Sequence, residues 1–265
     1  MPVKSTFLKI QNLDQPLFPD SLLSPERRDL RGKILLIGGS SAGFAGISYT
    51  YNQSLALGGG VIKVLLPKCL EKLLPKNPDF VFSGNPKALG FTREVESDLD
   101  NLTAWADAIC LVGDFGKNSE TQQIFSSFLE NNTHKKPILV TRDAIDLLLP
   151  SLPLENPNLR LFLTFPQLQK LFKHLLYPKV ITFTMPLPQL AETLHKFTLT
   201  YPCGIATFAS DNYIVGINGD VIATNSTSTK YNPLTLWAGE AAIRTLLLTL
   251  WTPSPRIAGL AGGVL

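Results

Sequence analysis

The chain is poor in several things that would point to a specialised class. Its 265 residues hold three cysteines, three histidines and two methionines, and charged residues make up 17% of the total. Cys69, Cys110 and Cys203 lie far apart with no C-x-x-C pair, which excludes a disulfide scaffold or a zinc ribbon and points to a reducing compartment. His134, His174 and His195 show neither H-E-x-x-H nor H-x-x-E-H spacing, so they are read as surface or helix residues. No apolar run approaches the ~18 residues of a membrane span. No apolar stretch follows Lys4 and Lys9 to form a leader. The expectation is a cytoplasmic protein that does not engage a membrane. A net charge of +3, with Lys and Arg scattered rather than clustered, argues against a nucleic-acid partner.

Catalytic signatures are also scarce. There is no G-x-x-x-x-G-K-[ST] phosphate loop, no G-x-S-x-G elbow and no complete G-x-G-x-x-G fingerprint. Asp114-Phe115-Gly116 spells a protein-kinase tripeptide, but its companion catalytic-loop motif is missing and it follows a strand signal, so it is a coincidence.

What remains is apolar residues, 45% of the chain, in a regular alternation. Short runs such as Lys33–Ile37, Val61–Leu66, Ala108–Val112, Pro137–Val140, Arg160–Leu163, Val180–Thr184 and Gly204–Phe208 read as strands buried on both faces. Helical patterns at 47–57, 119–131, 143–149, 166–175 and 188–196 separate most of them, the signature of a parallel sheet covered on both sides. Tyr213–Ile217 and Val221–Thr224 flank Asn218-Gly219 and predict a late hairpin. A long helix is expected over 233–250, capped by Asn232 with Pro233 in its first turn. The tail 252–265 is read as short and rich in small residues, with no helix of its own. Residues 1–30, broken by prolines, are expected to form an irregular arm, and 31–265 a single domain.

The strongest local signal is the loop Gly38-Gly39-Ser40-Ser41-Ala42-Gly43-Phe44-Ala45-Gly46 between a strand and a helix. Glycines there admit two readings. They let backbone amides approach an anion at the helix start, or they simply let strand and helix pack tightly.

Several stretches, in order, resemble the ADP/ATP-dependent NAD(P)H-hydrate dehydratases of the ribokinase-like superfamily. They are G-K-I-L-L-I-G-G-S-S-A-G-F-A-G from Gly32, then Gly58-Gly59-Gly60-Val61, and W-A-D-A-I-C-L-V-G-D-F-G-K-N from Trp105. K-P-I-L-V-T-R-D-A-I-D-L-L from Lys136, L-F-L-T-F-P-Q-L-Q-K-L from Leu161 and the hairpin 213–225 complete the series. The resemblance implies an α/β fold, a three-layer ribokinase-like domain with a mostly parallel central sheet and a late β-hairpin. It also implies ADP or ATP with Mg2+, hydrated NAD(P)H as the molecule repaired by phosphorylation and elimination, and a homo-oligomer. A ligand is expected against Gly38, Gly39, Ser40, Gly43 and Phe44, with Gly113, Asp114 and Gly116 close by and Asp143 for polar or magnesium contact.

The chain departs from that family where chemistry is done. The family's G-G-[ST]-G-D-V-L-[AT]-G stretch supplies an anion hole and a catalytic aspartate before the late helix. Here 221–239 holds no acid, and its one glycine, Gly239, falls inside the predicted helix. Gly219-Asp220-Val221-Ile222-Ala223 mimics the string but lies in the hairpin. T-P-H-P-G-E has become Thr164-Phe165-Pro166-Gln167-Leu168-Gln169. The expectation is a degenerate relative that keeps a ligand crevice or a structural or regulatory role, the alternative being an active dehydratase in which Asp143 or Asp114 compensates for the missing base.

Overall fold

The computed structural model describes residues 7–12, 14–131, 136–225 and 233–265. In chain order the strands and helices are β1 (Leu8–Gln11), β2 (Lys33–Gly38), α1 (Ala45–Ala56), β3 (Val61–Pro67), β4 (Phe80–Ser83), α2 (Glu96–Trp105) and β5 (Ala108–Gly113). Then come α3 (Ser119–Asn131), β6 (Ile138–Val140), α4 (Asp143–Leu148), β7 (Leu159–Leu163), α5 (Phe165–His174), α6 (Leu187–Thr200) and β8 (Gly204–Ala209). β9 (Asn212–Ile217), β10 (Asp220–Asn225), α7 (Pro233–Ala238), α8 (Glu240–Trp251) and α9 (Arg256–Gly262) finish the chain.

The strands form one sheet in the order β1-β10-β9-β8-β7-β6-β5-β2-β3-β4. Only the two pairings of β9 are antiparallel. Apolar runs without polar alternation produce this directly, because each central strand is buried on both faces. Leu35 and Ile37 of β2 enter one core together with α2, α3, α5 and α6. Ile34 and Leu36 enter the other with α1, α7, α8 and α9. Three layers result, and the α/β fold with a mostly parallel sheet and late hairpin is as the sequence implied. Cys110, fully buried in β5, is a small core hydrophobe. No helix among the described residues is long and apolar enough to cross a membrane.

Four expectations need correction. The N-terminal segment is not irregular throughout: Leu8–Gln11 adds a parallel edge strand to β10, and buried Gln11 donates to Thr224 Oγ1 and to the Ala261 carbonyl. Val180–Thr184 is not a strand. β7 and β8 pair with each other directly, Leu161 opposite Ile205, so the sheet has no slot for it. The helix expected over 233–250 is broken. Gly239 takes a left-handed φ of 92° between α7 and α8, a conformation that glycine adopts without steric penalty. The expected cap, Asn232, lies outside the described residues.

The tail, finally, does form a helix. The missing side chains of Gly259, Gly262 and Gly263 bring α9 against Thr249, Leu248 and Thr245 of α8, where a Cβ at any of them would come within 2.5 Å. The small residues of the tail are the packing surface itself.

Candidate functional site

The carboxyl ends of parallel strands β2, β5, β6 and β7 open on the same side, the side where open α/β sheets hold ligands. The candidate residues gather there, and the structure divides them. Gly38, Gly39 and Gly113 are packing glycines. A Cβ on Gly38 would lie 2.5 Å from the Gly113 carbonyl, one on Gly39 2.8 Å from Leu70, and one on Gly113 2.3 Å from Asp143. The Gly39 amide donates to the Gly113 carbonyl at 2.8 Å, tying the two loops together. Gly43 and Gly116 behave differently. Nothing lies within 4 Å of a Cβ on Gly43, and a Cβ on Gly116 would meet only Ser40 Oγ, at 3.6 Å. That Ser40 hydroxyl is buried and has no hydrogen-bond partner among the described residues. Phe44 sits at the N-cap of α1, half-buried against the adjoining core.

The amino end of α1 is already occupied. The Asp114 carboxylate accepts hydrogen bonds from the Gly46 amide at 2.6 Å and the Ile47 amide at 3.2 Å, and Arg142 Nη2 holds its other oxygen at 2.8 Å. A carboxylate on the first amides of a helix satisfies donors that have no intrahelical acceptor and meets the positive end of the dipole. Gly46 is required for this arrangement, since a Cβ there would fall 2.4 Å from Arg142 Nε. Both Asp114 and Arg142 have left-handed backbones, φ 58° and 57°, so two non-glycine residues bear strain at the same latch. The Arg142 guanidinium also lies over the Trp237 ring, 5.5 Å from its centroid.

Asp143 begins α4 and turns its carboxylate back to the β5 loop, where it accepts from the Asp114 amide at 2.6 Å and the Phe115 amide at 3.0 Å. Burial raises its pKa above the ordinary carboxylate range; the backbone bond from Asp114 opposes that rise. With its oxygens committed to backbone amides, it is poorly placed for the metal contact expected of it. No group of His, Cys, Asp or Glu among the described residues is arranged to hold a metal ion. Next to Asp143 opens a cavity of ≈ 690 Å³ whose lining includes Gly116, Lys117, Asn118, Asp146 and Lys170.

The segment beginning at Thr164 is structural. Thr164 and Gln167 form a capping box on α5, and Gln167 Nε2 donates to the Arg142 carbonyl at 2.8 Å and to Asp146 at 2.6 Å. Asp220, the decoy in the hairpin, is exposed beside Lys9, away from the site.

A further set of residues stands at the start of α8. Because α8 starts after the break at Gly239, a glycine and an acid, Gly239-Glu240, stand at a helix start. Pro233 belongs to α7 and removes no donor here. Among the described residues the buried hydroxyls of Thr50 and Thr141 have no hydrogen-bond partner, and both side chains lie against Gly239. Tyr49 donates its phenolic proton to Glu240 Oε2 at 3.0 Å. The signal was present as A-G-E-A-A, hidden inside what looked like one uninterrupted helix.

No protein-family profile matches the sequence, and no curated protein matches it either. Solved structures share its fold. A ribokinase-like superfamily protein from Enterococcus faecalis is similar at a TM-score of 0.64 and 18% identity, over 99% of this chain and 87% of its own. An ADP/ATP-dependent NAD(P)H-hydrate dehydratase from Bacillus subtilis, co-crystallised with ATP and Mg2+, reaches 0.58 at 14% identity, over 94% and 85%. A phosphomethylpyrimidine kinase from Clostridium difficile reaches 0.50 at 12% identity, over 87% and 97%. At such identities the likeness is one of fold, and the fold is the ribokinase-like one.

Proposed function

We propose that this chain is a ligand-binding relative of the NAD(P)H-hydrate dehydratases in which phosphoryl transfer is lost or strongly impaired. The observation that carries this reading is the Asp114 carboxylate on the amides of Gly46 and Ile47, held by Arg142. The family's G-P-G-L-G loop has no carboxylate to place there; here an anionic side chain fills the amide seat that the glycine-rich loop leads into. The Thr164 segment has likewise turned inward, into a capping box.

The start of α8 nevertheless has features of a phosphate site. The first turn of α8 has amides without intrahelical acceptors, and the unpartnered Thr50 and Thr141 hydroxyls lie at its Gly239. These suit an oxyanion such as a nucleotide phosphate. They do not supply a protein-held magnesium seat, so a magnesium ion would arrive on the phosphates of ADP or ATP. The three free cysteines fit a cytoplasmic setting.

An active dehydratase is the second reading, and Gly239-Glu240 favours it. Glu240 stands one residue into α8, where a carboxylate at the phosphate-binding end of the helix could take a hydroxyl proton. Its side chain is one methylene longer than the family's aspartate, which shifts the oxygen that must reach the proton.

The test is conversion of hydrated NADH in the presence of ADP or ATP and magnesium, for the wild type and Glu240→Gln. The proposal expects no turnover above the Glu240→Gln background. Turnover that disappears in Glu240→Gln would establish the active reading instead.

A further inference from the structure

β7 reads L-R-L-F-L, and its one charged residue, Arg160, is as buried as its apolar neighbours, at 2% exposure. The sheet is fitted around this side chain: a Cβ on Gly204, its partner on β8, would lie 2.4 Å from Arg160 Cδ. Nη1 donates to the Pro157 carbonyl at 2.7 Å and to the Leu159 carbonyl at 3.0 Å. Nε is sealed from solvent without a partner among the described residues, whereas Nη2, which makes no hydrogen bond there either, reaches the surface. Neutral carbonyls satisfy donors but leave the charge itself uncompensated. All 21 aspartates and glutamates of the chain lie among the described residues, and none forms an ion pair with Arg160. The neighbouring Cys203 supplies no thiolate, because burial pushes its pKa up to about 12.

A second positive charge is brought to the same oxygen. Arg256, exposed at the first position of α9, donates from Nη1 to the Pro157 carbonyl at 3.2 Å, and no ion pair involves it among the described residues. Two guanidiniums thus converge on one carbonyl. Each disfavours the charge of the other, and Arg256 adds to burial in lowering the pKa of Arg160 to about 10. Glu155, exposed on the loop before β7, is near enough to act on Cys203 but is paired to neither arginine. A leucine at position 160 would fill the layer without this penalty, so the fold alone does not account for the arginine. We propose that Arg160 and Arg256 hold a phosphate group, free or on a small organic molecule, at the amino edge of the sheet, opposite the carboxyl ends where the crevice lies. A dianion matches two charges. Its several oxygens accept from Arg160 Nη2 and from the remaining donors of Arg256 while both Nη1 atoms stay on Pro157. A carboxylate brings only one charge and two oxygens.

Thermal unfolding in inorganic phosphate, against chloride at equal ionic strength, tests this. Phosphate also suits the start of α8 and salts out proteins in general, so the readout is the part of the response that a substitution removes. At about a hundred times its Kd, phosphate should raise the wild-type Tm by about 5–10 °C more than that of Arg160→Met. In chloride the variant should melt no lower than the wild type. Arg256→Gln changes an exposed side chain and keeps the fold, so it decides the matter even if Arg160→Met does not fold. Calorimetry should show it binding phosphate at least about tenfold more weakly than the wild type. Glycerol 3-phosphate distinguishes the sources: binding tighter than that of phosphate marks an organic monoester, and equal or weaker binding marks the free ion. An equal rise in Tm for all three proteins would overturn the proposal, as would phosphate affinity unchanged in Arg256→Gln or no response in the wild type.

Discussion

Removing the Asp114 carboxylate should destabilise the protein through three separable effects. In Asp114→Ala, α1 loses the acceptor of its Gly46 and Ile47 amides, Arg142 loses its counter-ion, and an alanine is left at φ 58°. A hydrogen bond to a charged group is worth roughly 1.5–3 kcal/mol. Stranding one member of a buried ion pair costs about 3–5 kcal/mol. The side chains of Arg142 and Asp114 keep 16% and 11% exposure, so water partly compensates and the lower ends apply. Left-handed alanine adds about 1 kcal/mol. These terms overlap, and about 4 kcal/mol is expected in all, or a fall in Tm of roughly 8–16 °C for a domain of this size. Asp114→Asn keeps a cap acceptor and tolerates the backbone, so it should lose only about 1.5 kcal/mol. Asp114→Gly should be better than Asp114→Ala by about 1 kcal/mol. Urea denaturation of the three variants gives the ranking. An Asp114→Ala loss under about 1.5 kcal/mol, or equal losses for Asn and Ala, would refute the latch.

Three further outcomes follow from the same geometry. Gly38→Ala forces a Cβ to 2.5 Å from a backbone oxygen and should cost about 3 kcal/mol, whereas Gly43→Ala meets nothing within 4 Å and should stay within about 0.5 kcal/mol of wild type while weakening ligand binding; denaturation and calorimetry read the two effects. Asp143 has its pKa raised by burial, so the fold binds its proton more tightly than the unfolded chain does. Its contribution is therefore unfavourable at neutral pH and is relieved as pH falls through the raised value; the stability of wild type minus that of Asp143→Asn should rise on acidification, and a flat difference contradicts this. Arg160 is 2% exposed with no carboxylate partner among the described residues, donating to the Pro157 and Leu159 carbonyls, and burial lowers its pKa to about 10. Arg160→Met should leave thermal stability equal or higher, and a loss of more than about 2 kcal/mol would contradict that.

The layered fold was legible because continuous apolar runs and glycine-bounded loops are local signals. Where reading failed, the deciding information was not local. Leu8–Gln11 has only four residues, with Lys9 and exposed Ile10 among them, and becomes a strand only because β10 leaves an edge open. β4 and α2 went unread between stronger signals. Val180–Thr184 has strand-forming residues but no free partner. The candidate site followed the same rule. Its loops were found, but sequence alone could not tell a glycine with open space beside it, Gly43, from one that admits a neighbouring backbone, Gly38. Nor could it show that Asp114, 68 residues from Gly46, would cap α1, or that Gly239 would break a helix and put Glu240 at a new start.

The most direct measurement is a calorimetric titration of ADP into the purified protein with magnesium present. Saturable binding in the micromolar range is expected, weakened by Gly43→Val with no loss of fold. No heat at millimolar ADP, with the protein folded, would contradict it and leave the crevice without a nucleotide.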